Sequence, residues 1–496
     1  MMLLSACVDF ELPDTLKKTE VSGFSLDNRQ IIPGMVFVAL KGTQTHGLKY
    51  AEAAVQAGAS AVLYEPEGAG VIPALSVPVL AVPGLVDCLG VMAALFYGQP
   101  SRALSVVGVT GTDGKTSVTH FIAEAQNALN TKTAVLGTIG IGKPGELVAA
   151  THTTPDAVQV QARLRSLAEQ SFKSVAMEVS SHALDQARVA GVEFDIAVLT
   201  NLTRDHLDYH GTVAAYAAAK RRLFHWDGLK CAVLNLDDAF GRELAAELTG
   251  QDCQVIAYGV GDPVDYPANA VVASEVRFDH SGITAKIASP WGLGELHAPV
   301  LGRFNLENLL ATLAVLLAQG IALSSALTAL QQVKTVPGRM ERVQAHSSQQ
   351  DILVVVDYAH TPGALQSVLS ALKGHVRQRL ICVFGCGGDR DAGKRPLMAA
   401  IAEQLADVVI VTDDNPRTES AEQIFAGIRG GFDHPDAVVF EHSRAKAIRQ
   451  AIGLAAAGDV VLIAGKGHET VQVVQQENIP FDDREQAAIA LQERAA

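Results

Sequence analysis

The chain has 496 residues, 48% of them hydrophobic and 19% charged. That is enough apolar material for roughly two to four packed domains and excludes a disordered chain. A formal charge of −14 excludes a general nucleic-acid binder, which needs a basic face.

No run of about 20 apolar residues occurs, so no membrane segment is expected. The start carries Leu4-Ser5-Ala6-Cys7, of the lipoprotein cleavage type. However, it lacks a basic n-region, and its apolar run is too short for a signal peptide. Cysteines at 7, 88, 231, 253, 382 and 386 form no C-x-x-C pair. Reduced thiols in a cytoplasmic protein, with no cysteine zinc site, are expected.

Breaks divide the chain into 1–100, 101–336 and 337–496. The first break is at Gly98-Gln-Pro-Ser-Arg102 and the second at Thr335-Val-Pro-Gly-Arg339. In the second part, strand-like runs cover 104–110, 174–179, 196–202 and 231–236. In the third they cover 352–357, 380–384, 408–412 and 460–464. Short apolar runs separated by helical stretches predict an α/β fold with parallel sheets covered on both faces. Ligands in such folds sit at the carboxyl ends of the strands.

The first of these ends is GVTGTDGKT, 108–116. Its glycines let backbone N–H groups wrap a phosphate, and the following helix adds a partial positive charge. Lys115 would reach the terminal phosphates and the Thr116 hydroxyl would bind Mg²⁺. The spacing is G-x-x-G-x-x-G-K-T, a variant of the usual phosphate loop. Glu178, in EVSSH, could complete a Mg²⁺ shell, although a carboxylate at a strand end is often only solvated. His206 and His210 have the spacing of a zinc helix, but the Glu of H-E-x-x-H is missing, which argues against a zinc protease. Lys220 is by itself an ordinary helix lysine.

In their order, GTDGKT, EVSSH, TNLTRDHLDYH, GRFNLENLLA, VPGRME, DYAHTP and AGKGHE resemble the Mur ligases, the ATP-dependent amide-forming enzymes of peptidoglycan synthesis. The resemblance covers essentially the whole chain. DNPR and GCGGDRDAGKRP are similar to the members that add meso-diaminopimelate to UDP-N-acetylmuramoyl-L-alanyl-D-glutamate. The resemblance implies an N-terminal uridine domain, a central ATP domain and a Rossmann-like C-terminal domain that brings the amino acid.

For ATP it implies Gly111, Thr112, Asp113, Gly114, Lys115, Thr116 and Ser117, with Asn305, Arg339 and Asp357 as further contacts to ATP or the interdomain site. For Mg²⁺ it implies Thr116, Glu178, His206 and Lys220, the last carbamoylated by CO₂. Leu26, Asn28, Thr43, Gln44 and Thr45 match the UDP positions. His152, Thr153, Thr154, Ser180, Gln186 and Arg188 match those near the muramoyl dipeptide. The chain departs from the family pattern at Asp113 and His152, where Asn is usual, and at Asn28, where Ser is common. An acid beside a polyphosphate requires a side chain that faces away or caps the helix.

The implied reaction activates the D-Glu γ-carboxylate as an acyl phosphate, which an amine then attacks. His206 and His360 are candidates by residue type for the amine's base. In VTDDNPRTES, 411–420, both signs of charge stand at a strand end. A zwitterionic amino acid accounts for that. Arg417 offers a planar fork for the far carboxylate and Asn415 a neutral hydrogen bond, while Pro416 fixes the turn. Arg390 is a second basic contact. Asp414, Glu469 and the Gly465 carbonyl can accept from an ammonium.

A lysine-adding ligase should lack this Arg. A folylpolyglutamate-forming ligase should lack the first 100 residues. A phosphate-loop kinase or regulatory NTPase would leave the last third unexplained.

Overall fold

The computed structural model describes the chain except residues 9, 43, 44, 151, 345–350 and 496. Two compact units emerge, 1–258 with 314–320, and 259–313 with 321–496.

The first unit opens with a four-stranded parallel sheet, Gly23–Ser25, Met35–Ala39, Ala61–Tyr64 and Val79–Ala81 in sequence order. Its apolar core is built on Phe24, Val36, Val38, Leu63, Leu85 and Leu89. The larger sheet of this unit runs Gln254–Val260, Cys231–Asn235, Ile196–Leu199, Ser105–Thr110, Ser174–Glu178, Thr133–Leu136 and Ile141–Gly142. All neighbours are parallel except the last pair. The central strands are buried apart from Ser105 at the start of one, which is why they read as continuous apolar runs.

The expected strand 196–202 stops at Leu199. Thr200 N still donates to Thr110 O at 3.0 Å, and beyond it the chain leaves the ladder as its polar groups turn to other partners. Thr200 Oγ1 donates to Asp113 O at 2.6 Å, and Leu202 N donates to Asp238 Oδ2 at 3.0 Å.

The second unit contains three antiparallel strands, Ala270–Asp279, Gly282–Ser289 and Gly292–Ala298. Its six-stranded sheet runs Glu341–Val343, Leu353–Asp357, Val460–Ala464, Leu380–Phe384, Val408–Thr412 and Val439–Glu441. Only the first pair is antiparallel. Helices cover both faces, giving two apolar clusters, one around Leu369, Met398 and Ile428 and one around Ile448, Ile452 and Leu491.

Two buried polar contacts fix this unit. His375 Nε2 accepts from Gly302 N at 2.9 Å, so its Nδ1 carries the proton donated to Asp279 O at 2.7 Å. Arg444 and Asp483 form a fully buried ion pair at 2.7 Å. Arg444 also donates to the carbonyls of Ala464, at 3.0 Å, and Asp413, at 3.4 Å. It thereby ties two strand ends to the helix Asp483–Ala495.

Candidate active site

In the first unit, loop 111–114 joins the strand Ser105–Thr110 to the helix Lys115–Ala128. Gly111 has φ 148°, and a Cβ there would lie 1.8 Å from Thr200 Oγ1, so only glycine fits. The end of the third strand clamps the loop. Thr112 N donates to Asn201 O and Asp113 N to Asn201 Oδ1, both at 2.9 Å. Thr112 Oγ1 lies 3.2 Å from Tyr216 Oη. Asp113 is exposed, and no side chain caps the helix at Gly114. Asp113 therefore does not cap the helix, and its charge acts on both Lys115 and Lys220.

Lys115 Nζ donates to the carbonyls of Gly111, at 2.9 Å, and Thr112, at 2.8 Å. Lys220, 1% exposed, converges on the same spot: its Nζ donates to Gly111 O at 2.6 Å and sits 4.5 Å from the Tyr216 ring centroid. Burial lowers the pKa of both amines. For Lys220 the charge of Lys115 adds to this and takes it well below the ordinary lysine value.

Thr116 Oγ1 donates to Glu178 Oε2 at 3.0 Å, and Thr138 supplies its N–H to Oε1 at 2.8 Å and its hydroxyl to Oε2 at 3.2 Å. Burial raises the Glu178 pKa, against the opposing effect of Lys115. A hydroxyl and a carboxylate oxygen in contact beside a glycine loop are hard oxygen donors of the kind Mg²⁺ takes, so these residues fit Mg²⁺ with a nucleotide phosphate. No group of three or more His, Cys, Asp or Glu suited to a metal occurs among the described residues. His206, at φ 52°, instead faces Asp205 at 3.4 Å and the rings of His182 and Tyr216, at 4.9 and 6.1 Å.

Thr154, Ser180, Gln186 and Arg188 are joined. Thr154 Oγ1 donates to Glu178 O at 2.8 Å and accepts from Ser180 N at 3.2 Å. Arg188 donates to Gln186 Oε1 from Nε at 2.9 Å and to Thr154 O from Nη1 at 3.1 Å. Thr153 Oγ1 lies 3.0 Å from Thr138 Oγ1 and can donate to it, since the Thr138 proton goes to Glu178. In the first sheet Leu26 packs against the core and Asn28 opens a short helix, Asn28–Gln30, while Thr45 is exposed. Thr43 and Gln44 lie outside the described residues.

In the second unit, the turn after Val408–Thr412 meets the loop after Leu380–Phe384. Arg417 takes φ 52°, held by Arg417 N to Val473 O at 3.0 Å and Gln475 N to Arg417 O at 2.7 Å. Its Nη1 donates to Gly388 O at 2.8 Å. A Cβ at Gly388 would strike Pro416 O at 2.0 Å, so the two loops touch through a glycine. Arg395, 4% exposed, makes a two-pronged pair with Glu419, both bonds at 2.7 Å. Glu419 also accepts from Asp389 N at 3.1 Å. Arg390 is exposed beside this network.

Asn415 and Asp414 are buried, and the Asp414 carboxylate abuts Gly465, where a Cβ would lie 2.5 Å from Oδ2. Asn415 Nδ2 donates to Glu469 Oε2 at 3.0 Å. Asp357 is committed to the backbone: Oδ2 accepts from Met340 N at 2.7 Å and Oδ1 from Ala359 N at 2.8 Å. Arg339 lies over the Tyr358 ring at 5.4 Å. Asn305 donates to Leu301 O at 2.8 Å and accepts from Asn308 at 3.1 Å. His360 Nδ1 is 2.7 Å from Tyr358 O.

Three family models match the chain: "Mur ligase family, catalytic domain" over residues 20–97, "Mur ligase middle domain" over 109–316 and "Mur ligase, glutamate ligase domain" over 338–467. The UDP-N-acetylmuramoyl-L-alanyl-D-glutamate–2,6-diaminopimelate ligase of Pseudomonas aeruginosa is 51% identical over 479 residues, 97% of this chain and 96% of that one. The chain belongs to the Mur ligase family. The ligase of the same description from Xanthomonas oryzae pathovar oryzae is 50% identical over 492 residues, 99% of this Mur ligase and 97% of that protein. A solved structure of a protein of that description superposes with TM-score 0.79 at 37% identity, covering 100% and 99% of the two chains. A MurF ligase from Thermotoga maritima, in complex with ADP, shares the fold at TM-score 0.59 and 20% identity, covering 97% of this chain and 100% of that one.

Of the residues the sequence points to in this Mur ligase, Gly111, Thr112, Lys115, Thr116, Glu178 and Lys220 meet at the phosphate loop, with Thr154, Ser180, Gln186 and Arg188 joined to Glu178. Asp414, Asn415, Gly465 and Glu469 meet at the six-stranded sheet, whereas Leu26, Asn28 and Asn305 make other contacts. The sequence reading missed Thr138, Tyr216, Thr200 and Asn201 at the loop, and Arg395, Glu419 and Lys466 at the six-stranded sheet. TNLTRDH and AGKGHE contain Thr200, Asn201 and Lys466 at strand ends, a usable signal. VTDDNPRTES contains Glu419 and GCGGDRDAGKRP contains Arg395 in the same way, whereas Thr138 carries no signal.

Proposed function

We propose that the chain joins meso-2,6-diaminopimelate to the D-Glu γ-carboxylate of UDP-N-acetylmuramoyl-L-Ala-D-Glu, using ATP and passing through an acyl phosphate. The turn 414–417 carries this: a guanidinium, a buried amide and two carboxylates, Asp414 and Glu469, stand at the strand ends of one sheet. That is the complement of a zwitterionic amino acid.

Three domains, 1–100, 101–336 and 337–496, divide the work. The first holds UDP through Leu26, Asn28 and 43–45, and the second holds ATP on 111–117. His152, Thr153, Thr154, Ser180, Gln186 and Arg188 hold the muramoyl dipeptide. The third domain presents the amino acid through Arg390, Asp414, Asn415, Pro416, Arg417, Gly465 and Glu469. Asn305, Arg339 and Asp357 serve the nucleotide side, Asp357 by fixing the backbone at Met340 and Ala359. The protein is a cytoplasmic monomer acting on small molecules, and no described helix is long and apolar enough to cross a membrane.

ATP supplies the phosphoryl group, and Mg²⁺, when bound, neutralises charge between it and the attacking carboxylate. Thr116, Glu178, His206 and Lys220 would hold Mg²⁺. Lys220 serves as a carbamate: the lone pair of its neutral amine forms an N–C bond to CO₂, one C=O π pair moves onto oxygen as the carbamate anion, and an N–H proton is lost to solvent. Burial and the neighbouring Lys115 favour the neutral amine this needs. Lys115, released from the carbonyls of Gly111 and Thr112, turns its ammonium to the phosphates. The helix start at Gly114, uncapped by any side chain, gives its amides to the same charge.

The test is phosphate release by the purified chain with ATP, Mg²⁺ and the UDP-dipeptide. Release is expected with meso-diaminopimelate and not with L-lysine or without an amino acid. Release independent of both acyl and amine substrates would favour a plain NTPase.

A further inference from the structure

Lys466 carries the next inference, which rests on the amino-acid site just proposed. It is fully buried, on the loop after the strand Val460–Ala464. Its Nζ donates to Asn415 Oδ1 and to Glu469 Oε2, each at 3.0 Å. The strands that carry Lys466 and Asn415 are not neighbours; Leu380–Phe384 lies between them. Lys466 therefore reaches across the end of the middle strand to hold two groups of the site.

These contacts decide which atoms remain for a ligand. Asn415 Oδ1 takes two donors, Lys466 Nζ and Val473 N, the latter at 2.9 Å. The amide cannot flip without placing its NH₂ against a cation and an N–H. One Asn415 N–H goes to Glu469 Oε2, leaving the other for an acceptor. Glu469 Oε2 likewise takes two donors, while Oε1 has no protein partner among the described residues.

We propose that Lys466 is a positioning residue that sets the polarity of the amino-acid site. It fixes Asn415 as a donor and leaves Glu469 Oε1 as the acceptor. A carboxylate then belongs beside Asn415 and Arg417, and an ammonium beside Glu469. The reversed ligand orientation would set a carboxylate against a carboxylate and an ammonium against N–H donors.

Lys466→Met keeps the stem and removes both bonds; Lys466→Gln keeps a neutral donor. Wild-type phosphate release dependent on meso-diaminopimelate is measured first, and its absence would overturn the proposed function itself. With that activity in hand, Lys466→Met should raise KM for meso-diaminopimelate about 10-fold or more. KM for ATP and for the UDP-dipeptide should stay within about twofold, since uniform binding of only one substrate is lost. Lys466→Gln should fall between. In a Glu469→Gln background the effect of Lys466→Met should shrink, because the two act through one contact. Equal rises in all three KM values, a fall in kcat alone, or effects that simply multiply would overturn the proposal. Failure of both variants to fold would assign Lys466 to stability and overturn it too.

Discussion

Arg417→Lys is the most direct perturbation of the amino-acid site. The Arg417 guanidinium spends Nη1 on Gly388 O at 2.8 Å, and its remaining N–H groups have no protein partner among the described residues. One nitrogen anchors the fork while the others can meet a carboxylate in two parallel bonds. A lysine ammonium is a point donor and cannot do both in one plane. Loss of a charge-assisted pair costs about 1.5–3 kcal/mol, which is about 10- to 150-fold in KM for meso-diaminopimelate. Phosphate release is measured against meso-diaminopimelate concentration, with ATP and the UDP-dipeptide saturating. kcat should change little, because the far carboxylate is bound equally in ground and transition states. An unchanged KM would remove Arg417 from the site. A substrate lacking the far carboxylate probes the same bond from the other side, so L-lysine should be used far less well by the wild type. Comparable kcat/KM for the two would refute the assignment.

Gly111→Ala puts a Cβ 1.8 Å from Thr200 Oγ1; nucleotide affinity measured by calorimetry should be lost, and wild-type affinity would show that the loop is not the phosphate site. With isotopically labelled bicarbonate, a carbamate carbon resonance should appear in the wild type and vanish in Lys220→Arg; its persistence would place the carbamate elsewhere. His375 is held neutral, its pKa lowered by burial. Its contribution to stability is therefore present above the ordinary histidine value and is lost as pH falls through that value toward the lower folded one. The thermal midpoint of the wild type should drop with acidification more steeply than that of His375→Gln, and parallel curves would exclude this residue as the cause.

The buried parallel strands are legible in the sequence because a strand covered on both faces must be apolar throughout, as Val106, Val107 and Val109 or Leu353 to Val356 are. The loop at Gly111 is legible for a different reason: few chemistries need three glycines before a lysine at a helix start. The antiparallel strands around Ala270–Asp279 are not legible as strands, although Ser274 to Phe278 alternate in burial. Their pattern is half polar and broken by a register shift between Ser274 and Arg277. The pairing of Arg395 with Glu419, and of Lys466 with Asn415, is not legible because the partners lie 24 and 51 positions apart. Spacing along a chain reveals neighbours on one helix or strand, not pairs made by the sheet order.

The buried pair Arg444–Asp483 gives the last helix a role as a check on chain completeness. A product trimmed before residue 483 would leave a guanidinium stranded without its counter-charge beneath the carbonyls of Asp413 and Ala464, a defect of about 3–5 kcal/mol. The phosphate loop belongs to the other compact unit and keeps its own clamp at Thr200 and Asn201. Premature termination or proteolytic nicking would therefore strike amino-acid capture first.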